Sequence, residues 1–310
     1  MSQNTFNKRY IPTITAAILL TFLFMSNSVT AMNSIREGID RCMTTLIPSL
    51  FPFMVLSSFF IECDALSLFG RLFGKRFQRL FGVSNKALAA VFAGLLFGFP
   101  IGTLSLIALC DRKEITQNEL YRSMGICGIP SFGFTVNTVG ISLFSDRAFG
   151  IFLYFSSFAA AVICGIVSGN EKKDSYIISI SPAKNKKASE MITNAIISSA
   201  KAVFTLCAYV VFFSCVSKCL ITEVNGAPEI SALLGSVLEL TCGAFSSSSV
   251  DGVWGYILCG FTIGWSGLSV HLQTATLLQN RTERLSLYFL QKALQGLLCA
   301  FAAFLFFILQ

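Results

Sequence analysis

The sequence predicts an all-α polytopic membrane protein made of two related halves with broken or re-entrant helices. Of its 310 residues, 54% are hydrophobic and 13% are charged, whereas a soluble domain carries about 25% charged residues. The apolar residues form separate runs of the length that crosses a bilayer. Glycine, proline and serine interrupt several of these runs near the middle, which predicts helices that do not pass straight through the membrane.

The apolar runs give the order of the predicted helices, because a helix needs ~20 apolar residues to cross the hydrocarbon core. The candidate spans are 11–29, 42–60, 87–110, 123–144, 150–168, 191–220, 231–248, 253–278 and 286–309. The first span follows Lys8 and Arg9 and precedes small residues ending at Ala31. We interpret residues 1–31 as an N-terminal membrane helix or signal anchor, with a cleaved signal peptide as the alternative.

A polar stretch with five lysines, residues 169–190, separates the remaining spans into two groups. We interpret it as a connector between a first half, residues 32–168, and a second half, residues 191–310. The segment "GLLFGFPIGTLSLIAL" of the first half resembles "GFTIGWSGLSVHLQTA" of the second, and both are predicted to form hairpins broken at glycine. Internal duplication of this kind is common in transporters.

The net charge of +7 comes from lysines and arginines in the polar stretches between apolar runs. This distribution is typical of cytoplasmic loops and does not indicate a nucleic-acid partner; the predicted partner is the lipid bilayer. With the N-terminus inside, the basic loops 61–86 and 169–190 can both lie inside only if 87–110 or 123–144 is re-entrant.

The 11 cysteines show no C-x-x-C pair and no neighbouring histidine. We interpret them as small hydrophobic residues in a reduced or lipid environment. The sequence therefore predicts no metal site, no cofactor and no disulfide framework.

Five residues are predicted to break helices at membrane depth: Gly98, Pro100 and Gly102 in the first half, and Gly264 and Gly267 in the second. Glycine adopts conformations that a helix interior penalises, and proline removes an amide donor and clashes with the preceding turn. Unwound backbone in a bilayer is tolerated only where protein buries it or it lines a cavity. Two such breaks predict a polar site near the bilayer midplane, with tight packing of kinked helices through small residues as the alternative.

Polar side chains within the apolar runs are the candidates for this site. Glu239 has no basic neighbour in sequence, and an unpaired carboxylate at the membrane centre costs at least ~2.5 kcal/mol. It must therefore be protonated, paired across the fold, or exposed to water. The candidate substrate-binding residues are Glu239, Ser266, Ser269, His271, Gln273 and Asn137. A lone histidine such as His271 more often serves packing than ligand binding.

The pattern Gly-Trp-Ser-Gly at 264–267 also occurs in intramembrane serine proteases. Such a serine needs a histidine base from another helix. The single histidine of this chain lies five residues on, ~140° around a continuous helix. Metalloprotease, P-loop and dinucleotide-binding motifs are absent from the sequence, so we expect no enzyme, and a protease remains a remote alternative.

Taken together, these segments resemble sporulation integral membrane proteins of the nucleoside-recognition, or gate-domain, membrane family. The resemblance rests on "TTLIPSLFPFMVLSSFF" (44–60), "LLFGFPIGTLSLIALCDRKEIT" (95–116), "GIPSFGFTVNTVGISLF" (128–144), "LLGSVLELTCG" (233–243) and "GWSGLSVHLQ" (264–273). It implies a multi-pass cell-membrane protein of endospore formation, in the forespore or the mother-cell membrane. It also implies a gate-like fold related to nucleoside permeases and to the core of the ferrous-iron transporter.

Two functions follow as alternatives. The first is a permease or channel-like transporter of a small polar solute, nucleoside-like or ionic, bound by the polar residues named above. The second is a structural or assembly factor of the forespore membrane that transports nothing. A homodimer is compatible with either.

Overall fold

The computed structural model describes residues 11–63, 74–168, 187–279, 281 and 283–310. Throughout these residues the regular secondary structure is helical. The α-helices are α1 (Ile11–Ser26), α2 (Ser28–Arg41), α3 (Ile47–Glu62), α4 (Gly74–Phe81), α5 (Asn85–Phe97), α6 (Ile101–Asp111), α7 (Gln117–Cys127), α8 (Arg147–Ser168), α9 (Ala188–Val224), α10 (Pro228–Leu238), α11 (Leu240–Ser248), α12 (Val253–Trp265), α13 (Gly267–Leu278) and α14 (Leu285–Leu309). Two π-helical segments are π1 (Cys42–Leu46), which joins α2 to α3, and π2 (Gly133–Leu143), which precedes α8.

Within the part of the chain that the structure describes, five helices are long and apolar enough to cross a membrane. They are Ser28–Glu62, Arg147–Val167, Ala188–Val224, Val253–Leu278 and Leu285–Leu309. The predicted all-α polytopic fold is therefore confirmed.

The same order of elements occurs twice. A long helix (α2 through α3, then α9) precedes a pair of short helices (α5–α6, then α10–α11). An interrupted helix follows (α7 with π2, then α12 with α13), and a second long helix ends each series (α8, then α14). The predicted connector 169–190 lies outside the described residues up to 186, so the proposed division at that stretch stays a prediction.

The short helices of each pair fold back on one another as hairpins. A Cβ atom on Gly102 of α6 would lie 2.6 Å from the Cα atom of Gly94 in α5, and one on Gly243 of α11 would lie 2.5 Å from the Cα atom of Ser236 in α10. The four helices have 13, 11, 11 and 9 residues. They are therefore roughly 14–20 Å long, too short for a ~30 Å core. The charge distribution predicts a re-entrant element in either 87–110 or 123–144, and the short hairpin α5–α6 coincides with the first of these two ranges.

The predicted match between the two glycine-broken segments is wrong. Helices α12 and α13 continue in one 26-residue span rather than folding back, and the hairpin of the second half is Pro228–Ser248. The reason lies in the backbone. Extended Glu239 (φ −150°, ψ 131°) reverses the chain, whereas the left-handed pair Ser266 (φ 74°) and Gly267 (φ 82°) interrupts the helix and lets it continue.

Two of the five predicted helix-breaking residues lie inside helices. Gly98 (φ 84°) and Gly267 are at breaks, and Pro100 is the non-helical residue before α6. Gly102 lies within α6 and Gly264 within α12. Their lack of a side chain serves close packing instead: a Cβ atom on Gly264 would lie 2.3 Å from the carbonyl oxygen of Gln295.

Helix α14 links the two halves. It packs along α12 of its own half and against α7 and α8 of the first half. Its buried face carries Tyr288, Gln291, Lys292, Gln295 and Cys299. Helix α14 of the second half therefore places polar side chains among the helices of the first half.

Candidate functional site

A cavity of about 60 Å³ lies where both hairpin tips and both helix interruptions meet. The first half contributes Phe99 from its hairpin tip and Pro130 from the segment between α7 and π2, and the second contributes Leu240 from its hairpin tip. The polar lining residues are Ser49, Ser131, Glu239, Thr241, Ser266 and Gln273. Two hairpin tips and two helix interruptions that are distant in sequence thus border one cavity, whose lining is mainly apolar and includes these six polar residues.

In each half the hairpin tip contacts the following helix interruption through a glycine with positive φ. A Cβ atom on Gly98 would lie 2.7 Å from the amide nitrogen of Ser131, and one on Gly267 would lie 2.9 Å from the Cα atom of Glu239. In the first half the Phe99 amide also donates a hydrogen bond to the Ile129 carbonyl (2.8 Å). Any side chain at either glycine would separate tip and interruption.

Glu239 forms the tip of the second hairpin and caps helix α11. Its Oε2 atom accepts hydrogen bonds from the Thr241 hydroxyl and from the Cys242 amide (2.8 Å). A helix N-terminus carries partial positive charge and stabilises an anion. Glu239 is 1% exposed, and within the described residues it forms no ion pair. Both of these hydrogen bonds go to Oε2, and Glu239 lines the cavity.

Ser266 and Gln273 border the same cavity, and Ser269 lies behind them. Ser266 is held by its left-handed backbone, and its hydroxyl donates to the Ile263 carbonyl (3.4 Å). The Gln273 amide donates to the Ser269 hydroxyl (3.3 Å), which is fully buried. Three predicted site residues therefore meet at the cavity, and a fourth orients one of them.

The other two predicted site residues lie elsewhere. The His271 Nδ1 atom lies 3.0 Å from the Tyr288 hydroxyl, and its ring packs at 4.2 Å, centroid to centroid, on Trp265. Asn137 is exposed on π2. Ser266 and His271 thus have separate partners and make no hydrogen bond to each other.

Sequence reasoning missed three polar residues that line the cavity, Ser49, Ser131 and Thr241. Thr241 could have been found, because it lies two residues after the unpaired acid, within reach of an N-capping side chain. Ser131 follows a proline in a glycine-flanked stretch, which is the composition of an interruption. Ser49 has no comparable local signal.

A buried lysine was also missed. Lys292 of α14 is 0% exposed, and its ammonium donates to the Gly128 carbonyl (2.9 Å) and to Oε1 of Gln295 (3.1 Å). The Gln295 side chain also donates to the Gly125 carbonyl (2.7 Å). These groups together satisfy carbonyls at the C-terminal end of α7, where the helix is interrupted. The sequence signal was a single charge in an apolar run, flanked by glutamines at helical spacing.

The fold defines a multi-pass α-helical integral membrane protein with a cavity among interrupted helices. The predicted membrane location is confirmed. The chain is 21% identical over 322 aligned residues to "Sporulation integral membrane protein YlbJ" of Bacillus subtilis (strain 168), covering 91% of this chain and 79% of that protein. No family model matches the chain. No solved structure matches it either. The comparison supports the coarser prediction, a sporulation integral membrane protein.

Proposed function

We propose that the protein is a permease or channel-like transporter of a small polar solute during sporulation. The observation that carries the proposal is the meeting of two hairpin tips and two helix interruptions around a cavity lined by Glu239, whose carboxylate forms no ion pair within the described residues. In membrane transporters, half-helix ends and unwound backbone bind the solute near the midplane.

The chemistry of the cavity favours a cation. The ionised form of Glu239 contributes one negative charge, and the hydroxyls of Ser131, Thr241 and Ser266 contribute neutral oxygens. Oxygen ligands around a single carboxylate suit a hard cation. A solute carrying one positive charge would compensate the buried carboxylate.

The size of the cavity favours a small solute. Its volume of about 60 Å³ accommodates a few waters, at roughly 10–15 Å³ of such volume each. Pockets for drug-sized ligands measure about 300–1,000 Å³. A nucleoside, which the family resemblance adds as a candidate, requires the hairpin tips to separate.

The two hairpins supply a route for such a movement. The Glu239 tip contacts the second interruption through Gly267, and a rigid displacement of Pro228–Ser248 opens the cavity on one side. Alternating access through movement of hairpins or repeats around a fixed site is the usual behaviour of inverted-repeat transporters.

Flux into proteoliposomes tests the proposal. The panel contains monovalent cations, divalent metals, amino acids and nucleosides, and the variants are Glu239→Gln and Glu229→Gln. Glu229 is an exposed acid at the open end of the same hairpin, so it is the matched control. We expect flux of one class, lost in Glu239→Gln and retained in Glu229→Gln. Absence of flux for every class, or equal flux in both variants, would reject transport by this site.

The alternative, a structural or assembly factor of the forespore or mother-cell membrane, predicts a different outcome in spores. Under transport, Glu239→Gln and Ser266→Ala abolish spore resistance without lowering the protein level. Under an assembly role, both variants leave resistance intact, whereas a bulky residue at Gly267 still disrupts packing. We propose no enzymatic activity, because Ser266 and His271 bond to different partners. Cross-linking in membranes would test the proposed homodimer.

A further inference from the structure

Lys292 is a buried lysine that does not line the cavity. It lies in the first third of the apolar helix α14, which is long enough to cross a membrane, and is 0% exposed. Within the described residues it forms no ion pair with a carboxylate. A charged side chain at membrane depth costs several kcal/mol unless other groups replace its water. Something in the fold must therefore stabilise this ammonium.

The stabilising groups are oxygens at the end of a helix. Helix α7 ends at Cys127, and Gly128 leaves the helical conformation (φ −93°, ψ 41°). The carbonyls of the last turn lose their intrahelical partners there and carry partial negative charge. The Lys292 ammonium lies 2.9 Å from the Gly128 carbonyl and 3.1 Å from Oε1 of Gln295.

We propose that these oxygens form a monovalent cation site and that Lys292 fills it with a tethered ammonium. Half-helix C-terminal carbonyls in interrupted membrane helices are ligands for free monovalent cations. Here the chain supplies the cation itself. If the lysine side chain is shortened, the empty site accepts a small alkylammonium ion. The inference does not depend on transport.

The tethered cation makes Lys292 a positioning residue for the cavity wall. Gly128 continues directly into Ile129, whose carbonyl accepts the hydrogen bond from Phe99, and then into Pro130 and Ser131, which line the cavity. Holding Gly128 therefore fixes the first interruption against the first hairpin tip.

Thermal unfolding of Lys292→Ala in detergent, titrated with n-propylammonium chloride, tests the proposal. Two charge-assisted hydrogen bonds are lost, so we expect the midpoint to fall by about 5–10 °C. The amine should restore at least half of this loss, whereas equal concentrations of sodium chloride or n-propanol should restore little. Wild type and Lys201→Ala, which removes an exposed lysine of α9, report the general effect of the amine.

Lys292→Met separates charge from volume. It fills the space without a cation, so it should remain destabilised and should not respond to the amine. Wild-type stability in Lys292→Met, or a folded Lys292→Ala that ignores the amine, would overturn the proposal. If Lys292→Ala is not recovered in buffer, purification is repeated with the amine present. Recovery of monodisperse protein only with the amine supports a cation site, and failure in both buffers contradicts it.

Discussion

The two hairpin tips differ in the charged group that lies beside them, a lysine of α14 near the first tip and an acid within the second. The first tip, Gly98 to Pro100, has no ionisable side chain, and the interruption beside it is held by the ammonium of Lys292. The second tip is an acid, Glu239, whose carboxylate caps the next helix and borders the cavity. Both groups are buried, but Glu239 lines the cavity, whereas Lys292 contacts backbone and side-chain oxygens at the end of α7.

This difference teaches that a repeated architecture does not imply repeated chemistry. Each half needs a glycine where tip and interruption touch, Gly98 in one and Gly267 in the other. Beyond that contact the halves diverge: the first half has a charge partner supplied from α14, and the second has one supplied by its own tip.

The shared feature, close packing within each hairpin, gives the largest expected effect. A Cβ atom in Gly102→Ala or Gly243→Ala would lie 2.6 Å and 2.5 Å, respectively, from backbone Cα atoms of the opposing helix. Each variant should lose about 2–3 kcal/mol, seen as a lower midpoint of unfolding in detergent. Gly133→Ala is the control, since nothing beyond its chain neighbours and its own helix backbone lies within 4 Å of its added Cβ. If both hairpin variants matched this control, the close approach of the helices would be refuted.

The next-largest loss of stability is expected on replacing Glu239, the N-cap residue at the second hairpin tip. Glu239→Ala removes the acceptor for the Thr241 hydroxyl and the Cys242 amide and should cost about 1–2 kcal/mol. Glu239→Gln keeps an acceptor oxygen and should cost less than half as much. Unfolding midpoints of the two variants, compared with their flux, separate the structural role of the residue from solute binding. Equal destabilisation by both substitutions would indicate that the charge itself stabilises the fold.

The third-largest loss of stability is expected where an aromatic side chain hydrogen-bonds to a backbone carbonyl. In each hairpin this carbonyl lies near the end of the first helix. The Tyr154 hydroxyl donates to the Leu95 carbonyl (2.8 Å) and Trp265 Nε1 donates to the Val237 carbonyl (3.1 Å). Tyr154→Phe should cost about 1–2 kcal/mol, because its carbonyl is buried. Trp265→Phe should cost about 0.5–1 kcal/mol through this hydrogen bond, because the bond is exposed. A larger loss in Trp265→Phe would show that the second hairpin depends more on this contact than the first does.

The smallest loss of stability is expected on breaking an ion pair at the open end of the first hairpin. Asp111, at the end of α6, pairs with Arg281, which precedes α14. Both side chains are partly exposed, so Arg281→Gln should cost about 0.5 kcal/mol or less. The difference from wild type should vanish in 1 M salt, where the Debye length is about 3 Å. A difference that persists at high salt would assign the contact to packing instead.

Part of this organisation follows from local sequence. Apolar runs and scarce charge predict membrane helices, and loop charge requires one re-entrant element between residues 87 and 144. Glycine and proline at 98–100 mark the first hairpin tip. These signals are local, because the identity of a single residue, glycine, decides whether the backbone can adopt positive φ without steric cost. Glu239 was a candidate because the free energy needed to place a carboxylate in an apolar run follows from the sequence alone, without knowledge of its contacts.

Other features depend on contacts between distant residues. Gly102 and Gly264 have the same appearance in sequence as Gly98 and Gly267, yet they pack helices instead of breaking them, and only their neighbours distinguish the two roles. His271 has the composition of a site residue, but its helix turns it toward Tyr288.

The sequence by itself determined that the chain is a set of membrane helices interrupted by polar and glycine-rich segments, since hydropathy and backbone preference are properties of single residues and short runs. Tertiary structure decided which interruptions reverse the chain, that all of them surround one cavity, and that Lys292 stabilises the first one from a helix about 160 residues away. Helix packing brings these groups together, and the free energy of a buried charge depends on whichever dipoles the packing places beside it.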